Sequence, residues 1–134
     1  MILDQPGAKV MVAESDRTIA ELLRIRLDVA GYQTSLVRSG RDVLETLRAA
    51  RPAALMLEMR LPDINGFEIL RLIQVARLSL PTLIMGKDLS TEEIRRAVAL
   101  GARDVMVKPF SGATPLERVA RLLKLSAQQH AKAA

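Results

Sequence analysis

The chain has 134 residues, of which 49% are hydrophobic, a formal net charge of +5 and no cysteine. This length suits one domain with a single core, and the lack of cysteine excludes disulfides and thiolate metal sites. The one histidine, His130, lies in an Ala/Gln/Lys-rich segment that could not surround a metal ion, so zinc chemistry is excluded as well.

The sequence contains no segment that directs it to a membrane. Its apolar runs are all much shorter than the roughly 18 residues that a membrane-spanning helix needs. Residues 1–9 lack the basic and apolar regions of a secretory signal. We therefore expect a cytoplasmic protein. The aromatic residues Tyr32, Phe67 and Phe110 are too few to build a surface that stacks nucleic acid bases.

Short apolar runs alternate with helical patterns in the first half of the chain. Residues 9–13 predict a buried strand, and an apolar stripe that includes Leu22 predicts the helix that follows it. A second strand is predicted at residues 33–37, and Ser39 is typical of the residue that begins a helix. The third strand is predicted at residues 54–57.

The second half of the chain continues this alternation. The third helix is predicted from Phe67, and the fourth strand covers residues 82–85. Ser90 and Glu93 have the spacing of a capping box, which predicts that a helix begins there. The apolar stripe of that helix includes Val98.

The fifth strand is predicted at residues 104–107, and the last helix has an apolar stripe that includes Ala120. We assign residues 1–127 to one domain and residues 128–134 to a polar tail. Five strands alternating with five helices indicate a doubly wound α/β domain, because each parallel connection needs a crossover. In such sheets the functional crevice lies at the carboxyl ends of the strands.

Polar or small residues stand at four of these strand ends. The first strand is followed by Glu14 and Ser15, the third by Glu58, the fourth by Gly86 and the fifth by Lys108. Two carboxylates and one ammonium group should therefore converge at one edge of the sheet. The chain has neither a GxGxxG turn nor a GxxxxGK[ST] loop, which argues against a dinucleotide enzyme or an NTPase.

The chain resembles the receiver domain of two-component response regulators. The resemblance rests on three segments, VMVAESDRTIAELLRIRLDVAGY, LEMRLPDINGFEIL and VALGARDVMVKPF, which are similar to the opening, phosphoacceptor and closing parts of that domain. It implies a CheY-like, flavodoxin-like sheet of strand order 2-1-3-4-5. It also implies a role in signalling, in which an aspartate on the third strand accepts phosphate from a histidine kinase beside a bound magnesium ion.

The positions that the resemblance assigns to phosphate and magnesium depart from the family pattern. Glu58 stands in place of the phosphoacceptor aspartate, and Ser15 stands in place of the second acidic residue beside Glu14. The longer glutamate side chain displaces the attacking carboxylate oxygen, and a displacement of about 1 Å in a positioned reaction can cost about 100-fold in rate. Serine is also a poorer ligand than a carboxylate for Mg²⁺. We therefore predict an atypical receiver without a cofactor and without phosphorylation; residual phosphoacceptance, or metal binding at Glu14, is the alternative.

The other implied site residues divide into departures and matches. Gly86 stands in place of a Thr or Ser, and Val105 in place of the aromatic residue that changes rotamer on activation. Lys108 matches the family lysine, and the resemblance implies a cis peptide bond at Pro109. With no hydroxyl and no ring to move, we predict that Glu58 forms a fixed, partly buried ion pair with Lys108.

A basic surface is the remaining candidate for function. In the family, the fourth helix, fifth strand and fifth helix dimerise or engage a target. We expect a stand-alone, non-enzymatic module that binds a signalling protein, such as a histidine kinase or another regulator, or that forms a homodimer through this surface. A sensor of an anionic nucleotide second messenger is the alternative; DNA binding is not expected, since no recognition helix is evident. The basic residues concerned are Arg95, Arg96, Arg103, Arg118 and Arg121.

Overall fold

The computed structural model describes the backbone of residues 7–133 and the side chains of residues 7–124. Within this range, no helix combines the length and the apolar character needed to cross a membrane. Strands and helices alternate along the chain. The strands are β1 (Lys9–Ala13), β2 (Gln33–Val37), β3 (Ala54–Glu58), β4 (Thr82–Gly86) and β5 (Asp104–Val107), and the helices are α1 (Arg17–Val29), α2 (Gly40–Ala49), α3 (Gly66–Val75), α4 (Thr91–Ala99) and α5 (Thr114–Ala133).

The five strands form one parallel sheet in the order β2-β1-β3-β4-β5. This confirms the predicted doubly wound α/β fold and its strand order. β3 and β4 each extend one residue beyond the predicted strand, so Glu58 and Gly86 are the last residues of their strands. Glu58 lies in register with Met85. Its position is therefore fixed by the sheet, whereas Glu14 and Lys108 follow their strands.

Alternation of side chains along the central strands divides the core between the two faces of the sheet. Leu55 and Leu57 of β3 point to the face covered by α2, α3 and α4. Met56, between them, packs with residues of α1 and α5 on the opposite face. Both faces are covered, which is why these strands read as continuous apolar runs. Each fully buried aliphatic side chain contributes about 1.5–3 kcal/mol to the free energy of unfolding.

Side-chain caps define where the helices begin. Ser39 accepts a hydrogen bond from the Asp42 N–H at the start of α2, as its sequence position predicts. Ser90 and Glu93 form the predicted capping box of α4. Asn65 caps α3, so the residue pair before Phe67 that reads as a turn also begins the helix.

Three expectations about the helices differ from the structure. Leu22 is 46% exposed and Val98 is 56% exposed, so neither belongs to the buried stripe of its helix. Ala120 is also exposed. In each case the apolar residue lies next to the buried positions on the helical wheel. The apolar stripe in the sequence is therefore wider than the helix face that packs against the core. The predicted boundary at residue 127 falls within α5, and the side chain of His130 lies outside the described range.

Candidate functional site

Three charged side chains meet at the carboxyl edge of the sheet, as the strand ends predict. Glu14 follows β1, Glu58 ends β3, and Lys108 follows β5. The Nζ atom of Lys108 lies 2.5 Å from Glu14 Oε1 and 2.8 Å from Glu58 Oε1. The Glu14 side chain is 0% exposed and that of Lys108 is 9% exposed. The ammonium group therefore bridges two carboxylates in a site that is largely closed to solvent.

The remaining carboxylate oxygens are held by hydrogen bonds from the first turn after β1. The backbone N–H and the hydroxyl of Ser15 donate to Glu58 Oε2 at 3.2 and 3.0 Å. The Asp16 N–H donates to Glu14 Oε2 at 3.1 Å. The sequence indicates Ser15 only as a missing acid, whereas in the structure it is the donor that fixes the second oxygen of Glu58.

Burial and hydrogen bonding shift the pKa values of the two carboxyl groups in opposite directions. Burial, reinforced by the hydrogen bond with Glu58, raises the pKa of Glu14 from its ordinary value of 4.5 to about 7. Burial also favours the neutral form of Glu58, but hydrogen bonds with Glu14, Lys108 and the Ser15 N–H outweigh it and lower the pKa of Glu58 to about 2. Two carboxylates share one ammonium group, so a proton retained near neutral pH resides on the more buried Glu14.

Lys108 remains charged in this environment. Its burial disfavours the ammonium form, but the contacts with Glu14 and Glu58 outweigh that effect and raise the pKa of Lys108. The three groups form a closed ionic cluster, which we call the Glu14–Glu58–Lys108 triad. With a proton on Glu14 the triad is neutral, and without it the triad carries one buried negative charge.

The fold and this cluster of strand ends can be compared with known proteins. A family model described as the response regulator receiver domain matches residues 10–120. The chain belongs to the response regulator receiver domain family. The receiver acts in signal transduction, and its lysine and two glutamates lie where the resemblance in sequence places the family site.

Curated relatives share the receiver along about half of their own length. Response regulator MprA of Mycolicibacterium vanbaalenii is 31% identical over 116 residues, which cover 87% of this chain and 50% of that protein. DNA-binding response regulator MtrA of Mycobacterium tuberculosis is 29% identical over 120 residues, which cover 90% and 51%. The chain thus spans about half the length of the curated relatives it matches.

Solved structures show the same fold. Chemotaxis response regulator CheY4 of Vibrio cholerae has a TM-score of 0.79 at 27% identity, with 86% of this chain and 98% of that chain covered. A CheY-like receiver domain protein of Methanospirillum hungatei has a TM-score of 0.86 at 18% identity, with coverages of 91% and 98%. The fold is therefore retained at low sequence identity.

Sequence reasoning missed the side chain that fills the space at the end of β4. An added Cβ at Gly86 would lie 2.6 Å from Leu89 Cδ2 and 2.8 Å from Leu89 Cγ. Leu89 is half-buried and packs against the core cluster that also contacts Val105. Its only signal in the sequence is an apolar residue within the polar loop after β4. The apolar side chain of Leu89 therefore occupies the space beside the triad where the resemblance implies a hydroxyl.

Replacing Gly86 with alanine is expected to lower the free energy of unfolding by about 1–3 kcal/mol, because Leu89 must leave its place against the core. Urea denaturation measures this loss. In the double variant Gly86→Ala/Leu89→Ala, the loss should be smaller than the sum of the two single losses. Strict additivity would show that the two side chains do not compete for the same space.

The segment after β3 is tied to two neighbouring elements. Asp63 accepts hydrogen bonds from the Gly40 and Arg41 N–H groups at 2.8 and 3.0 Å, at the start of α2. The bond from Arg41, followed by that from Gly40, lowers the pKa of Asp63. Arg60 forms an ion pair with Glu93 of α4 at 3.1 Å. The sequence predicts a turn here but not these contacts, which hold the edge of the site to α2 and α4.

Charges on the predicted basic surface are largely engaged within the receiver. Arg118 and Arg121 contact the two oxygens of Asp104 at 2.8 and 2.7 Å. Burial opposes ionisation of Asp104, but the hydrogen bonds from Arg121 and Arg118 lower its pKa. The guanidinium of Arg96 lies 4.2 Å from the centre of the Phe67 ring. The five arginines therefore do not form one uniform cationic surface.

The exposed part of this surface is mixed in character. Arg95 of α4 is exposed, whereas Arg103 is half-buried. Val98 of α4 and Val107 of β5 are 56% and 49% exposed. We call Arg95, Val98 and Val107 the α4–β5 surface.

The peptide bond between Lys108 and Pro109 is cis.

Proposed function

We propose that this receiver acts as a protein interaction module that works without phosphorylation, as an atypical member of its family. The observation that carries the proposal is the engagement of both Glu58 oxygens, one by Lys108 and the other by Ser15. A nucleophilic oxygen must approach phosphorus in line and free of such contacts. An attack by Glu58 would first have to break its contact with Lys108 or its contacts with Ser15. A module of this kind has no catalytic turnover of its own.

The residues around Glu58 do not fit a resident magnesium ion. Mg²⁺ prefers oxygen ligands in an octahedral arrangement, usually with carboxylates and several waters. The ammonium of Lys108 lies between the two carboxylates of the triad at 2.5 and 2.8 Å and supplies the positive charge there. Among the side chains of residues 7–124, no group of three or more acidic, histidine or cysteine residues could surround a metal ion. We propose that the receiver uses no cofactor.

Incubation with Mg²⁺ and a small phosphodonor is expected to leave the intact mass of the receiver unchanged. A receiver that keeps its phosphoacceptor aspartate, treated in parallel, should gain the mass of one phosphoryl group and so show that the donor is active. Stoichiometric phosphate on this chain, lost in the variant Glu58→Gln, would overturn the proposal.

We propose that the α4–β5 surface makes the contact with a protein partner, which is a histidine kinase, another regulator or a second copy of the chain. Two exposed valines and an exposed arginine on the neighbouring elements α4 and β5 are suited to a partner with apolar and acidic groups. The ion pairs of Arg118 and Arg121 with Asp104 already neutralise part of the nearby charge. MtrA is named a DNA-binding response regulator, whereas we propose protein contacts for this receiver.

For a partner that binds the wild type, Val98→Asp and Val107→Asp are each expected to weaken binding at least tenfold, because an unpaired charge would enter the contact. Titration calorimetry measures the affinity. Val75→Asp is the matched control, since Val75 is exposed on α3, outside this surface. Glu58→Gln should leave the affinity unchanged; a large change there would mean that the triad still signals.

A further inference from the structure

Arg103 lies at the end of the sheet opposite to the triad. Its backbone N–H donates to the Thr82 carbonyl at 2.9 Å, next to the first residue of β5. Its Nη1 atom is shielded from solvent and has no hydrogen-bond partner among the side chains and backbone that the structure describes. A shielded nitrogen of a guanidinium group that lacks an acceptor is unfavourable, because its hydration is lost without replacement.

This guanidinium group lines a cavity of about 130 Å³, which we call the Arg103 pocket. Leu70 and Ile73 of α3, Leu80 before β4 and Leu100 after α4 supply apolar walls. No acidic side chain lines it. The Thr82 hydroxyl, also at the pocket, already donates to the Leu80 carbonyl at 3.0 Å. Gln74 and Ser79 also line the pocket, and neither forms a hydrogen bond with Nη1 of Arg103.

No acceptor within the described residues reaches Nη1 of Arg103, and three nearby ones are engaged elsewhere. Asp104, the adjacent acid, is bound by Arg118 and Arg121. The carbonyl of Ile73 near the end of α3 accepts from the Leu78 N–H at 3.1 Å. That of Ala97 near the end of α4 accepts from the Ala102 N–H at 3.0 Å. The position of the acceptor for Nη1 is therefore open to a molecule from solution.

We propose that the Arg103 pocket binds a small free carboxylic acid with a short, branched aliphatic group. The carboxylate would accept from Nη1 of Arg103, and the aliphatic part would contact the leucine and isoleucine walls. The volume is slightly below that of an engineered cavity of about 150 Å³ that binds benzene, which limits the ligand to a few carbon atoms. The C-terminal ends of α3 and α4 carry partial negative charge at this side, which weakens the binding of a carboxylate. We therefore expect an affinity in the millimolar range.

Isovalerate is the probe, and isovaleramide is its uncharged counterpart of nearly the same shape. In an amide-resolved NMR titration at neutral pH, isovalerate should give saturable shifts at residues that line the pocket, such as Ile73, Leu100 and Gly101. Isovaleramide should bind at least tenfold more weakly. Arg103→Met should remove the saturable shifts, whereas Arg95→Met, which removes the same charge from an exposed position, should leave them unchanged.

Three results would each overturn the proposal. The first is the absence of saturable shifts at isovalerate concentrations well above the millimolar range, which indicates a pocket that holds only water. The others are equal binding of isovaleramide and full binding of isovalerate by Arg103→Met. The thermal midpoint of Arg103→Met should equal or exceed that of the wild type, because the variant loses an unsatisfied donor. If this variant unfolds, Arg103→Gln takes its place, and the comparison of acid with amide in the wild type still decides the question.

Discussion

Lys108→Met is expected to lower the free energy of unfolding by about 3–5 kcal/mol at neutral pH, the largest loss that we expect from a single substitution in this chain. The ammonium group is the only cation within ion-pair distance of Glu14 and Glu58 among the described residues. Its removal leaves the charge of Glu58, and that of Glu14 whenever it ionises, in a closed site without compensation. Denaturant unfolding at pH 7 measures the loss.

The same variant should recover as the pH falls, because protonation can neutralise the carboxyl groups that Lys108 no longer compensates. Lys87→Met is the matched control, since Lys87 is exposed, and it should change stability by no more than about 0.5 kcal/mol. Adding Glu14→Gln and Glu58→Gln to Lys108→Met should restore most of the loss. A loss below about 1 kcal/mol for Lys108→Met alone would show that the triad is not closed to water.

Glu14→Gln is expected to stabilise the receiver at pH 8 by about 1–3 kcal/mol. The pKa of Glu14 is raised to about 7, so the folded state keeps a proton that the unfolded state releases above pH 4.5. The wild type should therefore lose stability as the pH rises from 4.5 to 7. Glutamine cannot ionise, and its amide can still donate to Glu58 and accept from Lys108, so the variant should lack this loss.

The lowered pKa of Glu58 has the opposite effect on how stability depends on pH. Its contribution to stability is present above pH 4.5 and is lost as the pH falls toward 2. Together the two groups place the maximum of stability near pH 4.5–5, and urea midpoints across pH 3–8 measure this profile. The exposed residue Glu92 provides the control: Glu92→Gln should keep the wild-type profile. Parallel profiles for Glu14→Gln and the wild type would contradict the assignment of the shared proton to Glu14.

The strands were predictable because their physical cause is local. Each of the runs at β1, β3 and β4 is buried on both faces, so its residues are apolar in sequence as well. The helix starts at Ser39 and Ser90 were predictable for a similar reason, since a cap acts on an amide three residues away. The limits of the apolar stripes were less predictable. Leu22 and Val98 fit the helical period, but only the packed neighbour decides where burial ends.

In the site, the membership of the triad could be predicted but its internal arrangement could not. Parallel strands place their carboxyl ends together, which brings Glu14, Glu58 and Lys108 to one edge. The donation from Ser15 to Glu58 depends on the path of the turn after β1, and the sequence represents Ser15 only as a neutral residue. The place of Leu89 over Gly86 depends on how a loop folds back onto a strand end.

The sequence by itself determined the fold class, the receiver resemblance and the set of residues at the strand ends, because periodicity and chain order act over short distances. Only the tertiary structure decided how those residues pair. Arg118 and Arg121 are apart from Asp104 in sequence but contact it in space. The Nη1 atom of Arg103, beside Asp104, has no hydrogen-bond partner among the described residues. The net charge of a sequence does not depend on where its charged residues lie. Ion pairing, in contrast, depends on distances of a few ångströms between charged groups, and packing alone sets those distances.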